Sequence, residues 1–464
     1  MNQDPNPGLG KVIPAVEVYD TRMTHSRIRS IMLLLAGSIA LMMTGFGIIL
    51  PVFARRLGEF GSGVEALGLM TMAFALTQFL MAPFMGSFAD RFGRKPGILL
   101  ALVSFAFINV GFLLAKSTTT FILLRAAEGA LTAGLFPAAM GIVGDVSPED
   151  ERGRWAGLLM GGYGAGYVLG PVLGGFLYDS WGFAMPFIIS ATMAVLALIA
   201  AILLVPETRG KEVRKRELLL GRRGDIKEIQ EKETFWASLP RPLYTFGMLL
   251  FIDFVLVFAF AFIEPQMIFY FYDDLGWSTV DFGLVVGFYG GAYVIGQVIL
   301  GPLSDRFARK PVIILGQIVN MMFFAGLVFV KSLPVLLIVS FISGLGEALI
   351  MPALSALYLD MTAKRHRSRV LGVKESAAAL GGVTGPLLVA SIAAFTSAIE
   401  IFIISVSILA LTILLTIFAL KPPSKMTKEV DEISWEVTRR RASAAQASFT
   451  AIFVSATTTR ETRG

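Results

Sequence analysis

The chain has 464 residues, 55% of them hydrophobic and only 16% charged, with 47 Gly, 37 Phe and a mean hydropathy of +0.71. Soluble globular domains carry about 25% charged residues, so this composition excludes that class and points to a membrane protein. The absence of Cys excludes disulfides and thiolate metal sites; the two histidines, His25 and His366, lie outside the apolar stretches, and neither a metal nor a cofactor is expected.

Residues 1–30 are too polar for a cleavable signal and form an N-terminal tail, which leaves the first apolar stretch as the insertion signal. Stretches long enough to cross about 30 Å of hydrocarbon follow at 31–54, 64–86, 97–115, 121–143, 155–177 and 184–205, giving an N-terminal bundle over 31–205. A charged loop at 206–243, containing Arg214-Lys215-Arg216, reads as a surface-lying linker with some helix. A second set at 244–270, 281–302, 311–330, 335–358, 371–394 and 400–420 makes a C-terminal bundle over 244–420, and the Ser, Thr, Ala and Arg-rich tail 421–464 reads as disordered. The expected fold is an all-α membrane protein of twelve spans. Six spans per half return the chain to its starting side, so the two six-helix repeats are parallel.

With the N-terminus inside, 35 of the 40 Lys and Arg residues fall on the inner side. Arg55, Arg56, Lys116 and Lys331 fall outside, and Arg125 is the only cation deep in a span. This positive-inside bias predicts a multi-pass protein of the cell membrane with both termini cytoplasmic. It also accounts for the net charge of +6 without a nucleic-acid partner. The chain has no Gly-x4-Gly-Lys-Ser/Thr and no long soluble domain to hold ATP, so any transport is secondary.

Residues 86–95, Gly-Ser-Phe-Ala-Asp-Arg-Phe-Gly-Arg-Lys, return at 301–310 as Gly-Pro-Leu-Ser-Asp-Arg-Phe-Ala-Arg-Lys, an offset of 215 that also pairs Asp145 with Asp360, Arg152 with Arg367 and Gly170-Pro171 with Gly385-Pro386. A fixed-period match of this length marks an internal duplication. Acidic and basic residues at helix ends can cap neighbouring helices and exchange ion pairs as helices slide. Asp90, Arg91, Arg94, Asp145 and Arg152, with Asp305, Arg306, Arg309 and Asp360 in the second copy, are therefore candidates for a conformational latch. The repeated loop resembles the signature of the major facilitator superfamily, with Ala308 in place of a usual glycine.

Two further stretches carry that resemblance. Leu124-Arg125-Ala126-Ala127-Glu128-Gly129 is similar to the superfamily's Arg-x-x-Gln-Gly, with Glu128 in the Gln place. Arg125 is costly in lipid, should face the bundle interior, and has Glu128 one turn away as a candidate partner. Gly166-x3-Gly170-Pro171-x2-Gly174-Gly175 resembles the antiporter motif of the drug:proton antiporter branch. The second half keeps Gly381 and Gly385-Pro386 but has Val389-Ala390 where the paired glycines would be. The resemblance implies a proton-coupled antiporter that exports amphipathic or cationic small molecules, with export or facilitated passage of a sugar or organic acid as the alternative. The expected partners are a small-molecule substrate, protons and the bilayer, and the chain is expected to act as a monomer.

Carboxylates inside spans can be neutralised by protonation, which makes them candidates for proton coupling. Asp253 and Glu264 in span seven are 11 residues apart, about 20° around a helix, and so share a face. Asp253 and, in span ten, Glu347 lie near the midplane, with Glu264 in the outer third; with Glu128 and Arg125 these five are the coupling candidates. Span one has no acid from Ile31 to Leu50, a departure that argues against close kinship with the tetracycline exporters. Tyr289, Tyr293 and Gln297 form a polar stripe on span eight; with Gln78, Tyr163, Tyr167 and Asn320 they are the pocket candidates. The ten aromatics from Phe246 to Tyr272 suggest an aromatic pocket.

Overall fold

The computed structural model describes residues 25–148, 151–208, 239–300, 307–362 and 366–421; the helix expected within the loop 206–243 and the tail after Lys421 fall outside them. Twelve helices are long and apolar enough to cross a membrane, and no strand occurs among the described residues. Spans one to six are Ile28–Glu59, Val64–Ala89, Arg94–Leu114, Thr118–Val146, Arg152–Trp181 and Ala184–Leu204. Spans seven to twelve are Leu243–Asp274, Thr279–Leu300, Arg309–Phe329, Leu333–Asp360, Val370–Phe395 and Ala398–Ala419. Each overlaps a stretch read from hydropathy. Several run further because the helical ladder continues through charged residues that end an apolar run, as span one does through Arg55 and Arg56.

The chain forms two compact units, Met1–Ile226 with Gly276–Gly287, and Lys227–Leu275 with Phe288–Gly464. In the first unit span one lies against spans five and six, span three against span six, and span two against span four. In the second unit span seven lies against spans eleven and twelve, and span nine against spans ten and twelve. The pairs one–five, one–six and three–six return as seven–eleven, seven–twelve and nine–twelve, and span three also lies against span four as nine does against ten, as a duplicated unit requires.

Small residues set the tightest of these contacts. A Cβ added at Gly166 would stand 2.5 Å from the Ala40 carbonyl oxygen, and one at Gly170 would stand 2.5 Å from the Gly47 Cα. Spans one and five therefore meet backbone to backbone, the close approach that spaced glycines permit in lipid. In the second unit Gly381 and Gly385 bring span eleven onto the Phe254 and Phe258 carbonyls of span seven, but Val389 then fills the interface as a fully buried side chain.

The repeated loop differs in backbone between its copies. Gly93, which joins spans two and three, has φ +117°, a conformation closed to most side chains, whereas Ala308 has φ −60°. The second copy accepts alanine because its chain does not enter that region.

Candidate functional site

The described latch candidates sit where helices begin and end. In the first unit the Glu207 carboxylate accepts from the backbone N–H groups of Arg94 at 3.1 Å and Lys95 at 3.3 Å, capping the start of span three. Arg94 Nε lies 3.6 Å from Asp145 Oδ2, which also accepts from the Thr208 hydroxyl at 2.8 Å, and Lys95 Nζ donates to the Ile202 carbonyl at 2.6 Å. The second unit repeats the pattern: Arg309 Nε donates to Asp360 Oδ2 at 2.8 Å, and Lys310 Nζ donates to the Ile417 carbonyl at 2.7 Å. Pro422 stands at the repeat position of Glu207 in the sequence. Arg91 and Arg152 are exposed; the Asp90 side chain, Asp305 and Arg306 lie outside the described residues.

Arg125 and Glu128 form a closed pair inside span four. Arg125 Nη1 donates to Glu128 Oε2 at 2.8 Å, and both side chains are buried. The guanidinium carbon lies 4.1 Å from the Phe74 ring centroid, 4.7 Å from that of Phe46 and 5.2 Å from that of Phe53. The cation is thus matched by one carboxylate and three ring faces, an arrangement that offsets much of the cost of holding it away from water.

Asp253 is 2% exposed in span seven and faces spans ten and eleven. The Tyr358 hydroxyl donates to its Oδ2 at 2.6 Å, and Lys374 Nζ lies 3.8 Å from its Oδ1. Lys374 is itself 9% exposed, on the helix Arg367–Ile392. Lys374 is thus a buried cation about one turn inside span eleven, which its nearness to Arg367 and Arg369 in sequence does not signal. Glu264, on the same helix as Asp253, is half-buried.

Glu347 forms the other acidic cluster of the second unit. The Tyr289 hydroxyl donates to Glu347 Oε2, and Asn320 Nδ2 donates to that same hydroxyl at 2.7 Å, so spans eight, nine and ten converge there. Phe260 stacks on Tyr289 with ring centroids 6.2 Å apart, and Phe323 lies 5.4 Å away. Among the described residues no basic side chain pairs with Glu347. Gln317, one turn before Asn320, is 4% exposed with both amide atoms unpartnered.

The remaining pocket candidates are dispersed. Gln297 Nε2 donates to the Tyr293 hydroxyl at 2.5 Å on span eight, and Gln297 is exposed. Tyr167 is half-buried and stacks on Phe46, Tyr163 is 39% exposed beside Phe136, and Gln78 is exposed. Of the aromatics in span seven, Phe246, Phe258, Phe262, Tyr270, Phe271 and Tyr272 are buried as packing, so they do not line an open pocket. The glycine run has two faces: Gly166, Gly170 and Gly174 meet span one, while Gly175 and Pro171 meet the first turns of span eight at Thr279 and Gly283, within the first unit.

The chain is 28% identical over 366 residues to Multidrug resistance protein 2 of Bacillus subtilis, covering 78% of this chain and 88% of that one. It is 26% identical to MdtG, a multidrug resistance protein of Klebsiella pneumoniae, over 83% of this chain and 91% of that one. The class C tetracycline resistance protein of Escherichia coli is also 26% identical, over 78% of this chain and 89% of that one. At 26% identity the kinship to that tetracycline exporter is a distant one. Among solved structures, a bacterial homologue of the human lysosomal transporter Spinster has a TM-score of 0.66 at 16% identity, over 84% of this chain and 96% of that one. The human organic anion transporter TETRAN has a TM-score of 0.60 at 22% identity, over 84% of this chain and 99% of that one, and these two show a shared fold. The family model of the Major Facilitator Superfamily matches residues 35–271 and 249–459, and the chain belongs to that superfamily of transporters.

Proposed function

We propose that the protein is a proton-coupled antiporter that exports amphipathic or cationic small molecules from the cytoplasm by alternating access. The observation that carries this reading is the uneven pairing of buried charge. Arg125 has Glu128, and Lys374 has Asp253, whereas Glu347 is held by the hydroxyl of Tyr289 and has no basic partner among the described residues. A carboxylate in an apolar interior is stable when protonated or when it meets a cation. Glu347 can therefore take a proton or a cationic substrate, one at a time, which is the competition that antiport requires. Phe260, Phe323 and Tyr289 would supply the aromatic surface that suits a greasy cation.

Asp253 is the second proton site in this scheme, already matched by a resident ammonium. The names of the multidrug relatives support a drug-like substrate. A tenfold pH difference supplies about 1.4 kcal/mol per proton, and 100 mV adds about 2.3 kcal/mol per charge, which drives useful accumulation. The positive-inside bias supports a cytoplasmic position for the repeated loops and both termini, and nothing in the mechanism needs more than one copy of the chain.

The alternative, an exporter or facilitator of a metabolite such as a sugar or organic acid, gains one observation on the organic-acid side, the buried ammonium of Lys374. Adding lipophilic cations, sugars and organic acids in turn to acid-loaded inverted vesicles separates the two. Proton release on cations alone supports the antiporter, and release on organic acids alone supports the alternative.

A further inference from the structure

Lys374 has two carboxylates within reach. It lies 3.8 Å from Oδ1 of the buried Asp253, and it donates to Glu375 Oε1 at 3.1 Å, where the Glu375 side chain is 73% exposed. The other oxygen of Asp253 is taken by the Tyr358 hydroxyl. The titratable groups facing Asp253 are thus Tyr358 from span ten and Lys374 and Glu375 from span eleven. A flexible ammonium between one buried and one exposed carboxylate has two stations.

We propose that Lys374 is a resident stand-in for the coupling proton: it neutralises Asp253 when that carboxylate is ionised, and it moves to Glu375 when Asp253 takes up a proton. The proposal rests on the proton-coupled reading above. Its logic is charge balance. Ionised Asp253 with Lys374 is neutral, whereas protonated Asp253 would leave a lone ammonium in the interior, which is unfavourable unless a second carboxylate receives it. The proton from solvent binds Oδ1 as the ammonium leaves that oxygen, and no other bond is made or broken.

Two variants then act in opposite directions. Without Lys374, the proton is the only cation left for Asp253, and it binds at higher pH. Without Glu375, the ammonium stays on Asp253, and the proton binds only at lower pH.

The test is infrared difference titration of the full chain in lipid nanodiscs, following the carboxylic-acid carbonyl band that Asp253→Asn removes. The expected result is a midpoint raised by at least about one pH unit in Lys374→Met, lowered in Glu375→Gln, and near the parent value in Lys374→Arg. Glu375→Gln alters an exposed side chain and remains decisive if Lys374→Met does not fold. A parent band that titrates while both variants keep its midpoint overturns the role of Lys374 alone. A parent with no Asp253-dependent band between about pH 5 and 9 overturns proton coupling at Asp253, and this inference with it.

Discussion

The guanidinium of Arg309 donates to the Asp360 carboxylate at 2.8 Å, bridging the start of span nine and the end of span ten, and Arg94 and Asp145 face each other at 3.6 Å in the corresponding place 215 residues earlier. Both pairs are partly open to solvent, with side-chain exposures of 24% and 28% in the second copy. Pairs of that kind contribute about 0–1 kcal/mol to stability. Arg309→Gln should therefore leave the melting temperature nearly unchanged while lowering turnover several-fold. Thermal melts and transport rates on one preparation check this; weakened substrate binding at unchanged turnover would contradict the latch role.

Arg125 and Glu128 should behave as a unit. Removing one partner leaves a buried charge, so Arg125→Ala should cost about 3–5 kcal/mol. The double variant Arg125→Leu/Glu128→Leu should recover most of that loss. Melts of the single and double variants in detergent check the coupling. A double variant that keeps stability but loses pH-driven transport would assign the pair to the transport cycle as well.

Gly170 and Gly161 lie on one helix and should respond differently to the same methyl group. A Cβ at Gly170 meets backbone atoms of span one, Thr44 O at 2.7 Å among them, whereas one at Gly161 meets nothing within 4 Å. Gly170→Ala should cost about 1–3 kcal/mol and impair transport, and Gly161→Ala should be neutral in both. Paired melts and transport assays check this.

Glu347→Gln should weaken tetraphenylphosphonium binding about tenfold or more and should flatten the pH dependence of binding. Tyr289→Phe removes the hydroxyl that Glu347 accepts from, and should shift that dependence without abolishing binding. Equilibrium binding to purified protein across a pH series checks both.

The spans were legible because each is a long apolar run, and the duplication because a charged loop recurs at a fixed offset. The Arg125 and Glu128 pair was legible because its members are three residues apart on one helix. Tyr358 lies 105 residues from Asp253, and only the packing of span seven against its neighbours brings the two together. Lys374 was hidden differently: the charge-dense loop ends just before it, and only the helix shows that its side chain turns inward. Glu207 sits in a loop beyond span six, and its capping of span three follows from the packing of spans three and six, which no local pattern encodes.

Proton coupling is the central claim, and uptake of labelled tetraphenylphosphonium into proteoliposomes under an imposed pH gradient tests it most directly. With acid inside, the account predicts accumulation in the parent that collapses when a proton carrier dissipates the gradient and is absent in Asp253→Asn and Glu347→Gln. Accumulation that ignores the gradient, or that persists unchanged in both variants, would contradict it.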